Sequence, residues 1–187
     1  MKITADVIKV ILQHKYRFQD TYLVASEVDV IGSLGAIADL MVYNIKEETV
    51  FEIEIKISKS DLLNDLKKAK HTIYKDLSLP HPCINRFYYA VPTKLLEVAL
   101  TMIKENELPY GLIEIKSDVI EDNKWSISCL AKTYTYSKIM KIVKRGSKLS
   151  DSKITERQKR NFELRLASEA VNNARRVLEL KENIWIK

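Results

Sequence analysis

The segment that most constrains this chain is residues 50–58, where apolar and charged side chains alternate without a break. Successive side chains of a β-strand leave on opposite faces, so this alternation predicts a strand with one apolar face and one charged face. Glu52, Glu54 and Lys56 share the charged face. An ordinary half-exposed strand would show the same pattern, so the meaning of these three residues depends on what lies beside them.

A second apolar run, 36–43, contains Asp39, and the polar residues 44–49 separate it from the alternating strand. Two apolar runs joined by a short polar segment predict a β-hairpin. This hairpin can bring Asp39 alongside Glu54 and Lys56. Two carboxylates and an ammonium group on one side of a sheet then form a candidate site for a hard divalent cation and a water molecule.

The predicted site suits magnesium or manganese. These ions prefer oxygen ligands and keep several waters, so Asp39, Glu54 and the carbonyl oxygen of Ile55 would supply enough protein ligands for Mg²⁺ or Mn²⁺. Lys56 could position the attacking water, or it could neutralise the charge that develops on a phosphate group. These residues therefore predict metal-assisted hydrolysis of a phosphodiester.

Two further carboxylates could serve this chemistry. Glu52 and Glu27 are candidate auxiliary ligands or proton carriers; alternatively, Glu52 is an exposed strand position and Glu27 pairs with a lysine. Other chemistry is not indicated. The four glycines form no phosphate-binding loop, and the three histidines, His14, His71 and His81, show no metal-ligand spacing.

Composition limits the class of protein. The 187 residues are 46% hydrophobic and 30% charged, which is typical of a globular protein. No apolar run approaches the ~18 residues of a membrane span, and Asp6 and Lys9 in the N-terminal stretch argue against a signal peptide. Cys83 and Cys129 are too few for a disulfide framework. We therefore expect a cytoplasmic protein that does not enter a membrane.

The order of the predicted elements defines the expected fold class. Hydrophobic periodicity and turn residues predict helices over 3–18, from 58 to about 74, over 93–106 and over 155–181, and strands over 22–31, 36–43, 50–58, 86–91, 111–116 and 125–131. The three strands before residue 58 form a meander. Helices then alternate with strands, so we expect an α/β fold with a mixed central sheet and a C-terminal helical extension.

Basic residues concentrate near the C-terminus. From residue 132 onward there are 15 Lys and Arg against 6 Asp and Glu, whereas residues 1–131 hold 16 and 19. This contrast predicts a domain over 1–131, followed over 132–187 by a basic linker and a C-terminal helix that packs on the domain or extends from it. A basic segment favours a polyanionic partner such as DNA, but a solvated basic helix would have the same composition.

Four basic residues are candidate nucleic-acid contacts, namely Lys59, Lys67, Lys144 and Arg145. The first two follow the predicted site closely, and the other two lie in an aromatic and basic stretch over 132–150 that could bind single-stranded DNA or serve as a linker. The long helix over 155–181 has three alternative roles: packing on the core, pairing with a second copy in a homodimer, or contacting DNA.

Asp39 with Glu54, Ile55 and Lys56 resembles the signature of the PD-(D/E)xK nuclease superfamily, and the wider sequence is similar to the MmcB-like DNA repair proteins. The residues that carry this closer resemblance are Ser26, Glu27, Ala38, Asp39, 54–58, Ser60, Asp61, Asp65, Lys67, 86–92 and 111–113. The resemblance implies a restriction-endonuclease-like core of a helix, three strands, a helix and a strand. It also implies that Asp39 and Glu54 bind the metal, that Lys56 assists the water, and that Asp61 and Asp65 support them or the fold.

The chain departs from that family at three points. Ala38 replaces the proline of the motif, Ala36 and Ile37 stand where basic residues are usual, and Lys68 replaces an aromatic residue.

From the three site residues and the resemblance, we expect a metal-dependent DNA nuclease that acts in repair, recombination or restriction. The alternatives are a catalytically weak or inactive nuclease-fold protein that binds DNA, and an oligomerisation module built on the long helix.

Overall fold

The computed structural model describes residues 3–17, 21–29, 37–75, 83–116, 118, 120 and 138–185, without the side chains of 29 and 176–185. Within these ranges the chain forms an α/β fold with a six-stranded mixed sheet and five α-helices. The strands are β1 (Tyr22–Asp29), β2 (Ile37–Asn44), β3 (Thr49–Ile55), β4 (Ile84–Pro92), β5 (Gly111–Ile115) and β6 (Met140–Lys144). The helices are α1 (Ala5–Arg17), α2 (Lys59–Asp65), α3 (Lys70–Lys75), α4 (Leu96–Glu105, preceded by a 3₁₀ turn over Thr93–Leu95) and α5 (Glu156–Trp185).

The strands lie in the sheet in chain order. β1, β2 and β3 form the predicted antiparallel meander, β3, β4 and β5 run parallel to one another, and β6 pairs antiparallel with β5. The parallel connections pass through α2 and α3 and then through α4, as parallel neighbours require a crossover. In the hairpin, Leu40 pairs with Ile53. Asp39 precedes Leu40 and Glu54 follows Ile53, so these two carboxylates are neighbours across the hairpin, on the opposite face of the sheet.

The sheet has one hydrophobic layer on each face. On one face, α1 buries Ile8, Ile11, Leu12 and Tyr16 against the meander. Helical spacing in the sequence predicts a stripe of Ile3, Val7, Val10, Ile11, His14 and Phe18. Ile3 and Ile11 are buried, whereas Val7, Val10 and His14 are half-buried and Phe18 lies outside the described residues. Residues 8, 12 and 16 form an equally apolar stripe at i, i+4 spacing, and the sheet covers that one.

The helical segment after β3 forms two short helices instead of one continuous helix. Residues 58–61 have the serine-x-x-acid form of a capping box, which predicts Ser58 as the N-cap. This is confirmed, since the Asp61 amide donates to the Ser58 hydroxyl at 3.2 Å. Helical spacing in the sequence predicts an apolar stripe of Leu62, Leu66, Ala69 and Ile73, with Lys70 on the polar side. Leu62 is buried and Leu66 and Ile73 pack against the core, but Ala69 is exposed and Lys70 is fully buried. The break at 66–69 rotates α3, so a lysine assigned to the polar side faces the sheet.

The C-terminal part of the chain adds β6 and α5 to this fold. The interpretation of 132–150 as a linker is wrong for Met140–Lys144, which forms an edge strand. α5 begins one residue after the predicted start. Helical spacing predicts an apolar face that includes Leu164 and Val171, but these are 53% and 68% exposed, whereas Phe162 packs on Tyr43. The strand predicted over 125–131 lies outside the described residues. In the part of the chain that is described, no helix is long and apolar enough to cross a membrane.

Candidate active site

The charged face of β3 is buried beneath α2 and α3. Glu52, Glu54 and Lys56 are 2%, 1% and 4% exposed. The interpretation of Glu52 as an exposed strand position is therefore wrong. Acidic and basic side chains are almost never buried to this extent unless they are paired, so their contacts define the site.

Glu54 lies at the centre of three lysine side chains. Its Oε1 atom contacts the ammonium group of Lys70, and its Oε2 atom lies 3.0 Å from Nζ of Lys56 and 3.6 Å from Nζ of Lys68. Burial opposes ionisation of Glu54, but Lys70 and Lys56 outweigh burial and hold the pKa of this carboxyl below its usual range. Glu54 is therefore a carboxylate whose two oxygens both face cations.

Glu52 extends this cluster deeper under α3. Its Oε1 atom lies 2.6 Å from Nζ of Lys70, and its Oε2 atom accepts a hydrogen bond of 2.5 Å from the Tyr74 hydroxyl. Lys70 thus bridges the two glutamates of β3. Its ammonium group also lies 5.3 Å from the centre of the Phe87 ring, within cation–π range.

Asp65, at the end of α2, joins the cluster to a buried polar network. Its Oδ2 atom accepts hydrogen bonds of 2.9 Å from the Tyr89 hydroxyl and from Nε2 of His71, whose Nδ1 atom lies 2.8 Å from the Tyr110 hydroxyl. Its Oδ1 atom lies 2.9 Å from Nζ of Lys56 and 2.6 Å from Nζ of Lys68. Burial opposes ionisation, but His71 and the two lysines hold the pKa of Asp65 well below its usual range.

Asp39 stands at the more open side of the cluster. It is half-buried, and its Oδ2 atom accepts a hydrogen bond of 2.7 Å from the backbone amide of Ile55. Burial and the nearby Glu54 carboxylate raise the pKa of Asp39. A cation placed between these two carboxylates would favour the ionised form of Asp39.

The predicted ligands are all oxygen atoms, the donor type that a hard divalent cation prefers. Asp39 and Glu54 supply carboxylate oxygens from neighbouring strands, and Ile55 adds a carbonyl beside the amide that Asp39 contacts. Among the described residues, no group of three or more acidic, histidine or cysteine side chains is arranged to hold a metal ion. A metal here would therefore rely on two carboxylates, the carbonyl and water or substrate oxygens, and would compete with the lysines on Glu54.

The other residues predicted for the site lie further from this centre. Glu27 pairs with Lys9 at 3.3 Å and with Arg165 at 3.4 Å, which confirms the alternative that Glu27 pairs with a lysine. Its φ of 52° also gives it a left-handed backbone conformation. Its role as a proton carrier or auxiliary ligand stays a prediction.

The four candidate nucleic-acid contacts have different surroundings. Lys59 is exposed in the first turn of α2, and the ammonium group of Lys67 donates to Asn64 at 3.0 Å. Lys144 donates to the Tyr110 carbonyl at 2.5 Å, so its ammonium group is held by the protein's own backbone. Arg145 is exposed, just beyond β6.

The buried polar partners were missed at the sequence level. They are Lys70, His71, Tyr74, Tyr89 and Tyr110. Positions 70, 71 and 74 share one face of a helix, which is the one signal that could have grouped three of them. The pairing of that face with the β3 carboxylates had no local signal.

Comparison with known proteins identifies a structural neighbour but no family. No known family matches the sequence, and no curated protein matches it significantly. The chain is similar to the solved structure of a protein of unknown function from Silicibacter pomeroyi, with a TM-score of 0.51 and 15% sequence identity over 97% of this chain and 94% of that one. At this identity the likeness shows a shared fold alone.

Proposed function

We propose that this protein is a metal-dependent DNA nuclease with a restriction-endonuclease-like fold, similar to the MmcB-like members of the PD-(D/E)xK superfamily. The observation that carries the proposal is the convergence of Asp39, Glu54 and Lys56 at one end of the β2–β3 hairpin, with Nζ of Lys56 3.0 Å from Glu54. The succession of helix, three-stranded meander, helix and parallel strand agrees with the core that the resemblance implies.

Asp39, Glu54 and the Ile55 carbonyl would hold Mg²⁺ or Mn²⁺. When bound, such an ion lowers the pKa of a coordinated water. It also compensates the negative charge of the phosphate, which would otherwise repel the nucleophile. The protein's contribution is to present two carboxylates from adjacent strands together with one backbone carbonyl oxygen. The hydrogen bond from the Ile55 amide fixes one Asp39 oxygen.

Lys56 acts as a cation and not as a proton acceptor. Burial alone would lower its pKa, but Glu54 and Asp65 outweigh burial and raise the pKa of Lys56 above the ordinary lysine value. The side chain therefore stays protonated near neutral pH. It can orient a water by donating a hydrogen bond, and it can stabilise negative charge on the phosphate as the bond to the leaving oxygen breaks.

DNA is the substrate that the charge distribution favours. Exposed basic side chains cluster along and beyond β6, namely Lys138, Lys141, Arg145 and Lys148. Such residues bind phosphates without regard to sequence and weaken as salt rises. A nuclease of this kind would act in DNA repair, recombination or restriction.

A second candidate function is DNA binding with weak or absent catalysis. The observation that favours it is that both Glu54 oxygens already form ion pairs with lysines. In that case the cluster would serve the fold, and the basic surface alone would engage DNA.

A nuclease assay separates these two functions. Wild type, Asp39→Ala and the control Asp6→Ala, which removes an exposed carboxylate on α1, would be incubated with labelled single-stranded, duplex and branched DNA, with Mg²⁺ or with chelator. We expect cleavage by wild type and by the control, and none by Asp39→Ala or with chelator. Binding without cleavage, equal in all three proteins, would overturn the nuclease proposal and favour the second candidate.

A further inference from the structure

Lys70 is a buried lysine for which the proposed reaction has no use. It is 1% exposed, so its ammonium group has lost nearly all contact with water. Such burial is very unfavourable unless the charge is paired. Its partners are the Oε1 atoms of Glu52 and Glu54, and Glu54 is also a proposed metal ligand.

The buried cluster contains as many ammonium groups as carboxyl groups. Its three enclosed carboxylates belong to Glu52, Glu54 and Asp65, and three ammonium groups contact them, those of Lys56, Lys68 and Lys70. A divalent cation at Glu54 would therefore enter a site whose negative charge is already compensated, apart from Asp39. Like charges at short range in such surroundings repel strongly.

Among the described residues, Lys70 differs from the other two lysines in having a second buried carboxylate that no other ammonium group contacts. Glu52 lies 2.6 Å from its Nζ atom and receives a further hydrogen bond from Tyr74. Lys70 can therefore leave Glu54 and remain paired on Glu52. Without Glu52, the ammonium group of Lys70 would keep Glu54 as its remaining ion-pair partner of the two.

We propose that Lys70 is an internal counter-ion that competes with the divalent cation for Glu54, so that the Glu52–Lys70 pair sets the metal affinity of the site. The proposal rests on the proposed function, since it requires a metal site at Asp39 and Glu54. In the metal-free protein Lys70 pairs with both glutamates. When the cation binds, Glu52 retains the ammonium group.

Two variants of the full-length chain test this competition with opposite expected signs. In Glu52→Gln the ammonium group has lost its alternative partner, so we expect weaker binding of Mn²⁺ than in wild type. In the double variant E52Q/K70M the competitor is removed without changing the net charge. Since a charge-assisted hydrogen bond to Glu54 no longer has to be broken, we expect Mn²⁺ to bind about tenfold to a hundredfold more tightly.

The measurement is Mn²⁺ binding followed by the electron paramagnetic resonance signal of the free ion, with circular dichroism to check folding. Lys75→Met is the matched control, because it removes an exposed lysine of α3 itself, and it should bind Mn²⁺ like wild type. If the double variant does not fold, Glu52→Gln decides, and binding as tight as in wild type would overturn the proposal.

The remaining outcomes separate this proposal from the proposed function. Equal Mn²⁺ affinity in wild type and E52Q/K70M, with binding abolished by Asp39→Asn, would overturn the role of Lys70 and leave the metal site intact. Absence of Mn²⁺ binding in every protein, or binding that survives Asp39→Asn, would overturn the metal site itself and the role of Lys70 with it.

Discussion

Replacement of Asp65 by asparagine should destabilise the protein far more than the same replacement at Asp61. Both carboxylates approach the ammonium group of Lys56, Asp65 at 2.9 Å and Asp61 at 3.8 Å. They differ in surroundings, since the side chain of Asp65 is 0% exposed and that of Asp61 is 54% exposed. The pair is therefore a matched test of what burial does to one interaction.

The expected magnitude follows from the contacts that asparagine cannot make. Removing one partner of a buried ion pair costs about 3–5 kcal/mol. We expect about 3 kcal/mol for Asp65→Asn, the low end, because Lys56 keeps Glu54 and the Lys68 side chain is 46% exposed. An exposed pair contributes about 0–1 kcal/mol, so Asp61→Asn should lie in that range.

Urea unfolding of the two variants and wild type, followed by circular dichroism at pH 7, measures both values. For a chain of this size, a loss of about 3 kcal/mol also lowers the midpoint of thermal unfolding by about 6–12 °C. Equal destabilisation by the two variants would refute the reasoning, because it would mean that burial of Asp65 does not strengthen its ion pairs.

The pH dependence of this difference has a defined sign. The pKa of Asp65 is held well below its unfolded value, so its stabilisation is fully present above a pH of about 4 and is lost as the pH falls further. Below that point, the advantage of wild type over Asp65→Asn should shrink by about 1.4 kcal/mol per pH unit. An advantage that grows on acidification would contradict the assigned pKa direction.

Three further predictions concern the fold. Phe162→Ala should lower the free energy of unfolding by about 3–5 kcal/mol, because the ring is 2% exposed. The exposed control Leu164→Ala should change it by less than about 0.5 kcal/mol, and equal effects in urea unfolding would argue against the docking of α5. Gly111→Ala should destabilise by about 3 kcal/mol or more, because a Cβ atom there would lie 2.3 Å from a tyrosine ring of β4, and an unchanged urea midpoint would contradict that packing. Burial raises the pKa of the Cys83 thiol to about 11, so little reactive thiolate is present in the folded protein at pH 8. In a Cys129→Ser background, iodoacetamide should therefore modify the folded protein about a hundredfold more slowly than the urea-unfolded chain, and equal rates would contradict this burial.

Much of the sheet could be predicted from the sequence because its signals are local. Alternation and turn residues predict the meander, and the aromatic-rich strand predicted over 86–91 is typical of a central strand, as β4 is. β6 was missed because Met140–Lys144 carries two lysines among five residues. Charged edge strands of this kind resist unwanted pairing and read as polar linkers.

The rotation of helices could not be predicted because it depends on distant partners. α1 carries two apolar stripes, and only the sheet determines which one is covered. Helical spacing assigns Lys70, with Lys59, Lys67 and Lys68, to the polar side of one continuous helix. The carboxylate partners of Lys70 lie 16 and 18 residues earlier in the chain, and periodicity within a helix carries no information about them.

The residues of the candidate site were predictable in part because their sequence signals are also local. Glu54 and Lys56 belong to one strand, and Asp39 lies across a hairpin from them. Their proximity follows from β-strand geometry alone. The site is also enclosed by α3, by Tyr89 of β4 and by Tyr110 just before β5. Predicting this enclosure would have required the arrangement of the parallel half of the sheet.

The most direct test of the nuclease proposal separates binding from cleavage on one DNA substrate. The dissociation constant without Mg²⁺ and the single-turnover cleavage rate with Mg²⁺ would be measured for wild type and Asp39→Asn, which keeps the side-chain shape. We predict similar dissociation constants and a cleavage rate at least about a hundredfold lower in the variant, since the charge stabilisation that a metal supplies is worth several kcal/mol. Cleavage by the variant at the wild-type rate would contradict the assignment of Asp39 as a metal ligand and with it the proposed active site.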